Sequence, residues 1–297
     1  MELRIAGLTK RYPNGVHALQ GVTLTIPPGL FGLLGPNGAG KSTLMRTLAT
    51  LQEADSGEVT LGDIDVLRDK ARVRQLLGYL PQEFGVYPRA TAEELLDHLA
   101  ILKGIGDARD RRRAVQSLLE RTNLWEHRNK ALGGYSGGMK RRFGIAQALL
   151  GNPKLLIVDE PTAGLDPEER VRFHNLLSEV SESIIVLLST HIVEDVAELC
   201  PRMAILFQGR VLLHGDPAGA MRELENKVFR RVVAKSELSD VQAKHAVIST
   251  RLVGGRPVVH VLADRAPEGF GPTSPDLEDV YFAAMFRATR SGGGREV

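Results

Sequence analysis

Nine consecutive residues, Gly35-Pro36-Asn37-Gly38-Ala39-Gly40-Lys41-Ser42-Thr43, have the types and spacing that hold a chain of phosphates. They fit the phosphate-loop pattern G-x-x-x-x-G-K-[ST]. Glycines let the backbone bend so that successive N–H groups face one anion. A helix opening at the end of the loop adds unpaired N–H groups and a favourable dipole. Lys41 is placed to reach the β- and γ-phosphates, and the Ser42 hydroxyl to bind Mg²⁺. The loop needs a buried strand before it and a helix after it. Leu30-Phe31-Gly32-Leu33-Leu34 supplies the first, and Leu44-Met45-Arg46-Thr47-Leu48 reads as the opening turns of the second.

A second group with chemical potential is Asp159-Glu160, which closes the apolar run Leu155-Leu156-Ile157-Val158. Strand ends of this kind are where open parallel sheets bind ligands. Asp159 suits a metal-supporting carboxylate, and Glu160 is placed to act as a general base on an attacking water.

These residues need a rigid frame, and the hydrophobic pattern predicts an α/β one. Residues 3–8, 22–26 and 57–62 read as strands. Thr91 is an N-cap with Glu94 at its third helical position, and helical patterning runs from there to about 150. Within it, Arg109-Asp110-Arg111-Arg112-Arg113 reads as a solvated helix face. Apolar runs at 154–158, 183–189 and 203–207 suit parallel strands covered on both faces. The helical block at 88–150 is then an insertion into a strand–helix core. After Leu213 the pattern changes. A helix is expected at 217–226, with strands at 229–234, 246–253 and 257–263. Gly254-Gly255 forms the turn between the last two strands. A final helix is expected with Ser274 as cap and Pro275 at its first position. The chain therefore divides into a domain over 1–219 and a small α/β appendage over 220–297, ending in a mobile Ser291-Gly292-Gly293-Gly294 run.

Bulk properties bound the function. The chain has 297 residues and a net charge of +2, which gives no ground for a nucleic-acid partner. One cysteine, Cys200, excludes a disulfide framework and a cysteine metal site, and fits a reducing, cytosolic setting. No secretory signal is visible, and no apolar stretch approaches the roughly 18 residues of a spanning helix. Membrane association is expected only through a partner or a surface patch.

The ordered motifs resemble those of ABC-transporter ATP-binding subunits over about residues 3–215. Tyr135-Ser136-Gly137-Gly138-Met139-Lys140 is similar to the ABC signature, more often written LSGGQ or LSGGM. Gln82 matches the Q-loop glutamine, Ala163-Gly164-Leu165-Asp166 the D-loop, His191 the switch histidine, and Tyr12 the aromatic that stacks on adenine. The resemblance implies a P-loop ABC ATPase core with an inserted helical subdomain, binding ATP and Mg²⁺. It implies that Gln82 links the metal to the transmembrane contact surface, joining Ser42 and Asp159 around the ion. His191 contacts the γ-phosphate and the attacking water. Ser136, Gly137 and Gly138 serve the ATP of an opposing subunit. A second copy of the chain or a sister ATPase would complete a head-to-tail dimer with two composite sites. A polytopic permease would place the pair at the cytoplasmic face of the membrane.

Two positions depart from the usual signature. Tyr135 replaces leucine, and its hydroxyl needs a partner or solvent. Lys140-Arg141-Arg142 follows, either attracting nucleotide or forming a solvated helix start. The segments Glu83 to Pro88 and Thr91 to Leu95, and the Asp276-Leu277-Glu278-Asp279-Val280-Tyr281 stretch near the end, resemble multidrug, antibiotic or sodium exporter ATPases of the DrrA and NatA kind. A soluble ABC ATPase of translation, repair or cofactor assembly is the alternative class. Against it stand the single ATPase domain and the absence of a long heptad seam. Residues 220–297 could also bind a regulatory ligand, but their apolar strands without nucleotide or metal motif favour dimer contact or plain packing.

Overall fold

The computed structural model describes residues 1–162 and 165–292. Ala163 and Gly164 of the D-loop match, and the tail from Gly293 onward, lie outside the described residues. The chain opens with β1 (Leu3–Arg11), β2 (His17–Ile26) and β3 (Gly29–Leu34), followed by α1 (Lys41–Leu48). Next come β4 (Ser56–Leu61), β5 (Ile64–Asp65), α2 (Lys70–Leu76) and β6 (Leu77–Leu80). Three helices follow: α3 (Ala92–Leu102), α4 (Ala108–Arg121) and α5 (Gly137–Leu149). The core resumes with β7 (Leu155–Asp159), α6 (Pro167–Ser181), β8 (Ile185–Thr190), α7 (Val193–Leu199), β9 (Arg202–Phe207) and β10 (Arg210–Gly215). The remainder is α8 (Pro217–Arg222), β11 (Val228–Val232), α9 (Leu238–Lys244), β12 (Val247–Val253), β13 (Arg256–Leu262), β14 (Gly271–Pro272) and α10 (Leu277–Gly292).

The central sheet has the order β10-β9-β3-β8-β7-β6 and is parallel except for β10. Its apolar runs are continuous because alternate residues enter different cores. Leu155, Ile157, Ile185 and Leu187 pack on α1 and the antiparallel sheet β2-β1-β4-β5. Leu156, Val158, Val186 and Leu188 face the other way, against α5, α6 and α7. Strands β7 and β8 thus bury both rows of side chains, as a two-faced parallel sheet requires.

The inserted helices rest on the sheet edge through α5. A Cβ on Gly78 of β6 would lie 2.1 Å from the Ala148 carbonyl oxygen, so only glycine permits this approach of α5 to β6. Tyr135 solves its polar end by burial with a partner: its hydroxyl donates to the His127 carbonyl at 2.8 Å.

The last sheet, β12-β13-β11-β14, is antiparallel and carries its own small core of Phe229, Val241, Val259, Val261 and Phe270. α10 joins this sheet to the main body. Leu277, Val280 and Ala283 enter the larger core with Val193 and Val196 of α7. The helix opens differently from the sequence expectation, because Asp276 rather than Ser274 is its cap. The Asp276 carboxylate accepts from the Asp279 amide at 2.8 Å, and Asp279 accepts from the Asp276 amide at 3.2 Å. That reciprocal pair satisfies two helix-start donors, which Ser274 is too far back to reach. Asp279 is buried and also meets His260 of β13 at 2.7 Å, clasping helix to sheet.

Candidate active site

Four adjacent parallel strands end at one edge, and each delivers a residue singled out in the sequence. β3 leads into the phosphate loop, β8 into His191, β7 into Asp159 and Glu160, and β6 toward Gln82. In-register pairing of Leu34 with Thr190 and of Asp159 with Ser189 keeps these ends level.

The phosphate loop is shaped by a glycine. Gly40 has φ of +106°, and a Cβ there would lie 2.3 Å from the Ala18 carbonyl oxygen. α1 begins at the next residue with no side-chain cap, so its first amides face the loop. Lys41 is buried, and its ammonium donates to the Gly35 and Pro36 carbonyls at 2.7 and 3.2 Å. Burial lowers its pKa, while the charges of Glu160 and Asp159 oppose the shift.

Glu160 is the meeting point. Its Oε1 faces the Lys41 ammonium at 3.5 Å. Its Oε2 accepts from Gln82 Nε2 at 3.1 Å and lies 3.2 Å from His191 Nδ1. Lys41, Gln82 and His191 therefore converge on the carboxylate of Glu160, the fourth residue predicted to do chemistry. Glu160 itself has φ of +46°, a left-handed conformation that costs a non-glycine residue about 1 kcal/mol or more. Its amide is held by the Ser189 carbonyl at 2.9 Å, and its own carbonyl accepts from Arg141 at 3.3 Å.

Asp159 is buried beside Glu160, and its Oδ1 has no hydrogen-bond partner. Burial raises its pKa, opposed by the Ser189 and Ser42 hydroxyls and the charge of Lys41. Ser42 and Asp159 are thus neighbours, as a shared cation would require.

The remaining predicted residues lie around this centre. Tyr12 follows β1, and its hydroxyl donates to Gln52 at 2.9 Å and sits 3.3 Å from the Thr43 hydroxyl. Gly35, Pro36, Asn37, Gly38 and Ala39 form the loop between β3 and Gly40. Ser136, Gly137 and Gly138 start α5, with the Ser136 hydroxyl capping the Met139 amide at 3.2 Å. Among the described residues, no side-chain hydrogen bond or ion pair joins Ser136 to Lys41, Glu160 or His191.

Two contributors were hidden in the sequence. The Lys140-Arg141-Arg142 run is not a uniformly solvated helix start. Arg142 is buried and donates to the Thr122 and Asn123 carbonyls at 3.2 and 2.8 Å. Arg141 donates to the Gln82 carbonyl at 2.7 Å as well as to Glu160. The second is Asp195 of α7, fully buried. It receives the Thr162 hydroxyl at 2.5 Å, the Thr190 hydroxyl at 3.2 Å, Arg170 Nε at 3.0 Å and His174 Nε2 at 3.1 Å. Thr190 precedes His191 and Thr162 lies two residues after Glu160, so Asp195 ties together the chain on both sides of the centre. Burial pushes its carboxyl up, but His174, Thr162 and Arg170 together hold it below the usual value.

A helix-start phosphate loop beside a carboxylate that gathers an ammonium, an amide and an imidazole defines a P-loop nucleotide-binding cassette. The sequence profile of the ABC transporter family matches residues 19–163. The chain is 37% identical over 230 residues to the daunorubicin/doxorubicin resistance ATP-binding protein DrrA of Streptomyces peucetius, covering 77% of this chain and 69% of that protein. It is 33% identical over 298 residues to the probable multidrug ABC transporter ATP-binding protein YbhF of Escherichia coli K12, covering 94% of this chain. It spans about half of that relative, 51% of its length. The dimeric cassette MJ0796 in a post-hydrolysis state bound to ADP and Pi superposes with a TM-score of 0.65 at 28% identity, covering 72% of this chain and 98% of that one. The chain belongs to the ABC transporter ATP-binding proteins. Among the described residues, no helix is long and apolar enough to cross a membrane.

Proposed function

We propose that this chain hydrolyses ATP to power a membrane exporter. The observation that carries the reading is the convergence of Lys41, Gln82 and His191 on Glu160 beside the phosphate loop. The loop amides and Lys41 bind the phosphates and draw off their charge. Glu160 accepts a proton from the water that attacks the γ-phosphorus, and the bond to the β-phosphate oxygen breaks to leave ADP and phosphate. Gln82 and His191 orient that carboxylate and the water. The unpartnered, buried Asp159 oxygen and the adjacent Ser42 hydroxyl fit a Mg²⁺ site, with Gln82 as a further ligand. Bound there, Mg²⁺ would neutralise phosphate charge.

Tyr12 stacks on the adenine. Ser136, Gly137 and Gly138 act on the ATP of an opposing subunit, giving a head-to-tail dimer with two composite sites. The dimeric state of MJ0796 supports that reading. A polytopic permease anchors the pair peripherally at the cytoplasmic face. The drug-resistance name of DrrA supports export. Residues 1–219 form the ATPase domain, and residues 220–297 a packed accessory domain clamped to α7 by α10.

Affinity purification of the tagged chain from gently solubilised native membranes tests the assignment. A stoichiometric polytopic partner, with ATP turnover in the complex, is expected. Recovery only in soluble assemblies, without such a partner, would overturn the transport reading.

A further inference from the structure

Arg141 links three parts of the molecule that the motifs treat separately. It lies on α5, five residues after Ser136, on the helix that begins with the signature. One arm of its guanidinium donates to the Gln82 carbonyl at 2.7 Å, and the other to the Glu160 carbonyl at 3.3 Å. A planar fork is suited to two acceptors held at a fixed separation, which a lysine ammonium would meet only singly. Both acceptors are main-chain atoms of residues whose side chains already meet at 3.1 Å. Arg141 therefore closes a small ring running from Gln82 to Glu160 through side chains and back through the guanidinium.

The ring sits where the backbone needs holding. Glu160 occupies a left-handed conformation with no glycine to relieve it, and Arg141 fixes the carbonyl of that same residue. The close approach of α5 to β6 at Gly78 brings the helix near enough for the arm to span the gap. Arg141 itself is half-buried, and burial disfavours its charge, so the carbonyls must supply the solvation it loses. The arrangement transmits position: a displacement of α5 moves the carbonyls of both Gln82 and Glu160.

We propose that Arg141 is a positioning residue that locks Glu160 and Gln82 to the signature helix. Engagement of Ser136–Gly138 by the nucleotide of an opposing subunit is thereby felt at the chain's own hydrolytic carboxylate. The inference rests on the composite-site reading above for its functional consequence, though not for its geometry.

The test compares the wild type with Arg141→Met and Arg141→Lys in the full chain. Amide hydrogen exchange is read on peptides containing Gln82 and Glu160, with α1 as an internal reference. ATP turnover and binding of a fluorescent ATP analogue are measured alongside. Arg141→Met should speed exchange in both peptides and spare α1. It should lower kcat on the order of tenfold, the loss expected for a charge-assisted hydrogen bond, with analogue affinity unchanged. It should also flatten the cooperativity of turnover with ATP concentration. Arg141→Lys should recover part of both effects. Wild-type exchange at both peptides would overturn the proposal whatever the turnover. Equal losses of affinity, kcat and α1 protection would show a general packing role and overturn it too. Changed exchange in a chain whose wild type does not hydrolyse ATP would sustain the positioning role and reject the functional reading instead.

Discussion

His191 Nδ1 lies 3.2 Å from the same Glu160 oxygen that accepts from Gln82. A Gln82 hydrogen bond and the adjacent His191 ring, both following the ends of different strands, fix how that carboxylate is turned. They leave Glu160 Oε1 toward Lys41, and so toward the phosphate loop. The geometry assigns His191 a role in aiming the base. His191→Ala should therefore lower kcat by about tenfold to a hundredfold, within the range of losing one oriented polar group at a reacting centre. Nucleotide affinity should stay near the wild-type value, and steady-state turnover with parallel analogue titration checks both.

Lys41 should matter first for binding. Its ammonium is the one charged donor among the loop's hydrogen bonds. Lys41→Ala should weaken affinity for an ATP analogue by at least about tenfold, as expected for removing a charge-assisted contact. Calorimetric titration measures it. An unchanged affinity would remove Lys41 from the phosphate site.

Asp195 should matter for stability. Replacing it with alanine leaves His174, Arg170 and two hydroxyls without their common acceptor. A loss of about 3 kcal/mol is expected, the low end for unpairing a buried charge, because Arg170 retains some access to water. Denaturant unfolding reads it. The sign of the pH effect follows from the depressed pKa. The stabilisation is present above the ordinary aspartate value of 3.8 and is lost as pH falls through the lower folded value. The stability difference between wild type and Asp195→Ala should therefore be full at neutral pH and shrink in acid below about 3.8.

Asp279 should hold α10 to the appendage's own sheet. Its carboxylate serves both the start of α10 and His260 of β13. Asp279→Ala should raise hydrogen exchange in α10 and the β12–β13 hairpin well before the central sheet responds. Uniform protection in that variant would deny the clasp.

The phosphate loop, the acidic strand end and the parallel strands were legible because their signals are local. A glycine pattern sits between a strand and a helix, and apolar runs serve two cores at once. The convergence of Gln82, Glu160 and His191 was legible only by resemblance, since residues 78 and 31 positions apart meet through sheet order. Arg141 was not legible. A basic run reads as solvated, and its burial depends on how closely α5 approaches β6. Asp195 was masked in the same way by Glu194 and by its place in a short helix. Strand β10 and helix α9 were missed because each is short and half exposed, with stability drawn from neighbours rather than from its own pattern. The α10 cap was misassigned because Ser-Pro is a strong local start signal, and the reciprocal Asp276–Asp279 pair lies just beyond it.

Phosphate release by Glu160→Gln at saturating Mg²⁺-ATP tests the central claim most directly. Glutamine keeps the size and part of the hydrogen bonding of Glu160 but cannot accept the proton from water. Turnover should fall by about a hundredfold or more, as for loss of a general base, while ATP remains bound and the chain accumulates as an ATP-dependent dimer. Wild-type phosphate release by that variant would contradict the account, since no other carboxylate among the described residues meets Lys41, Gln82 and His191 together.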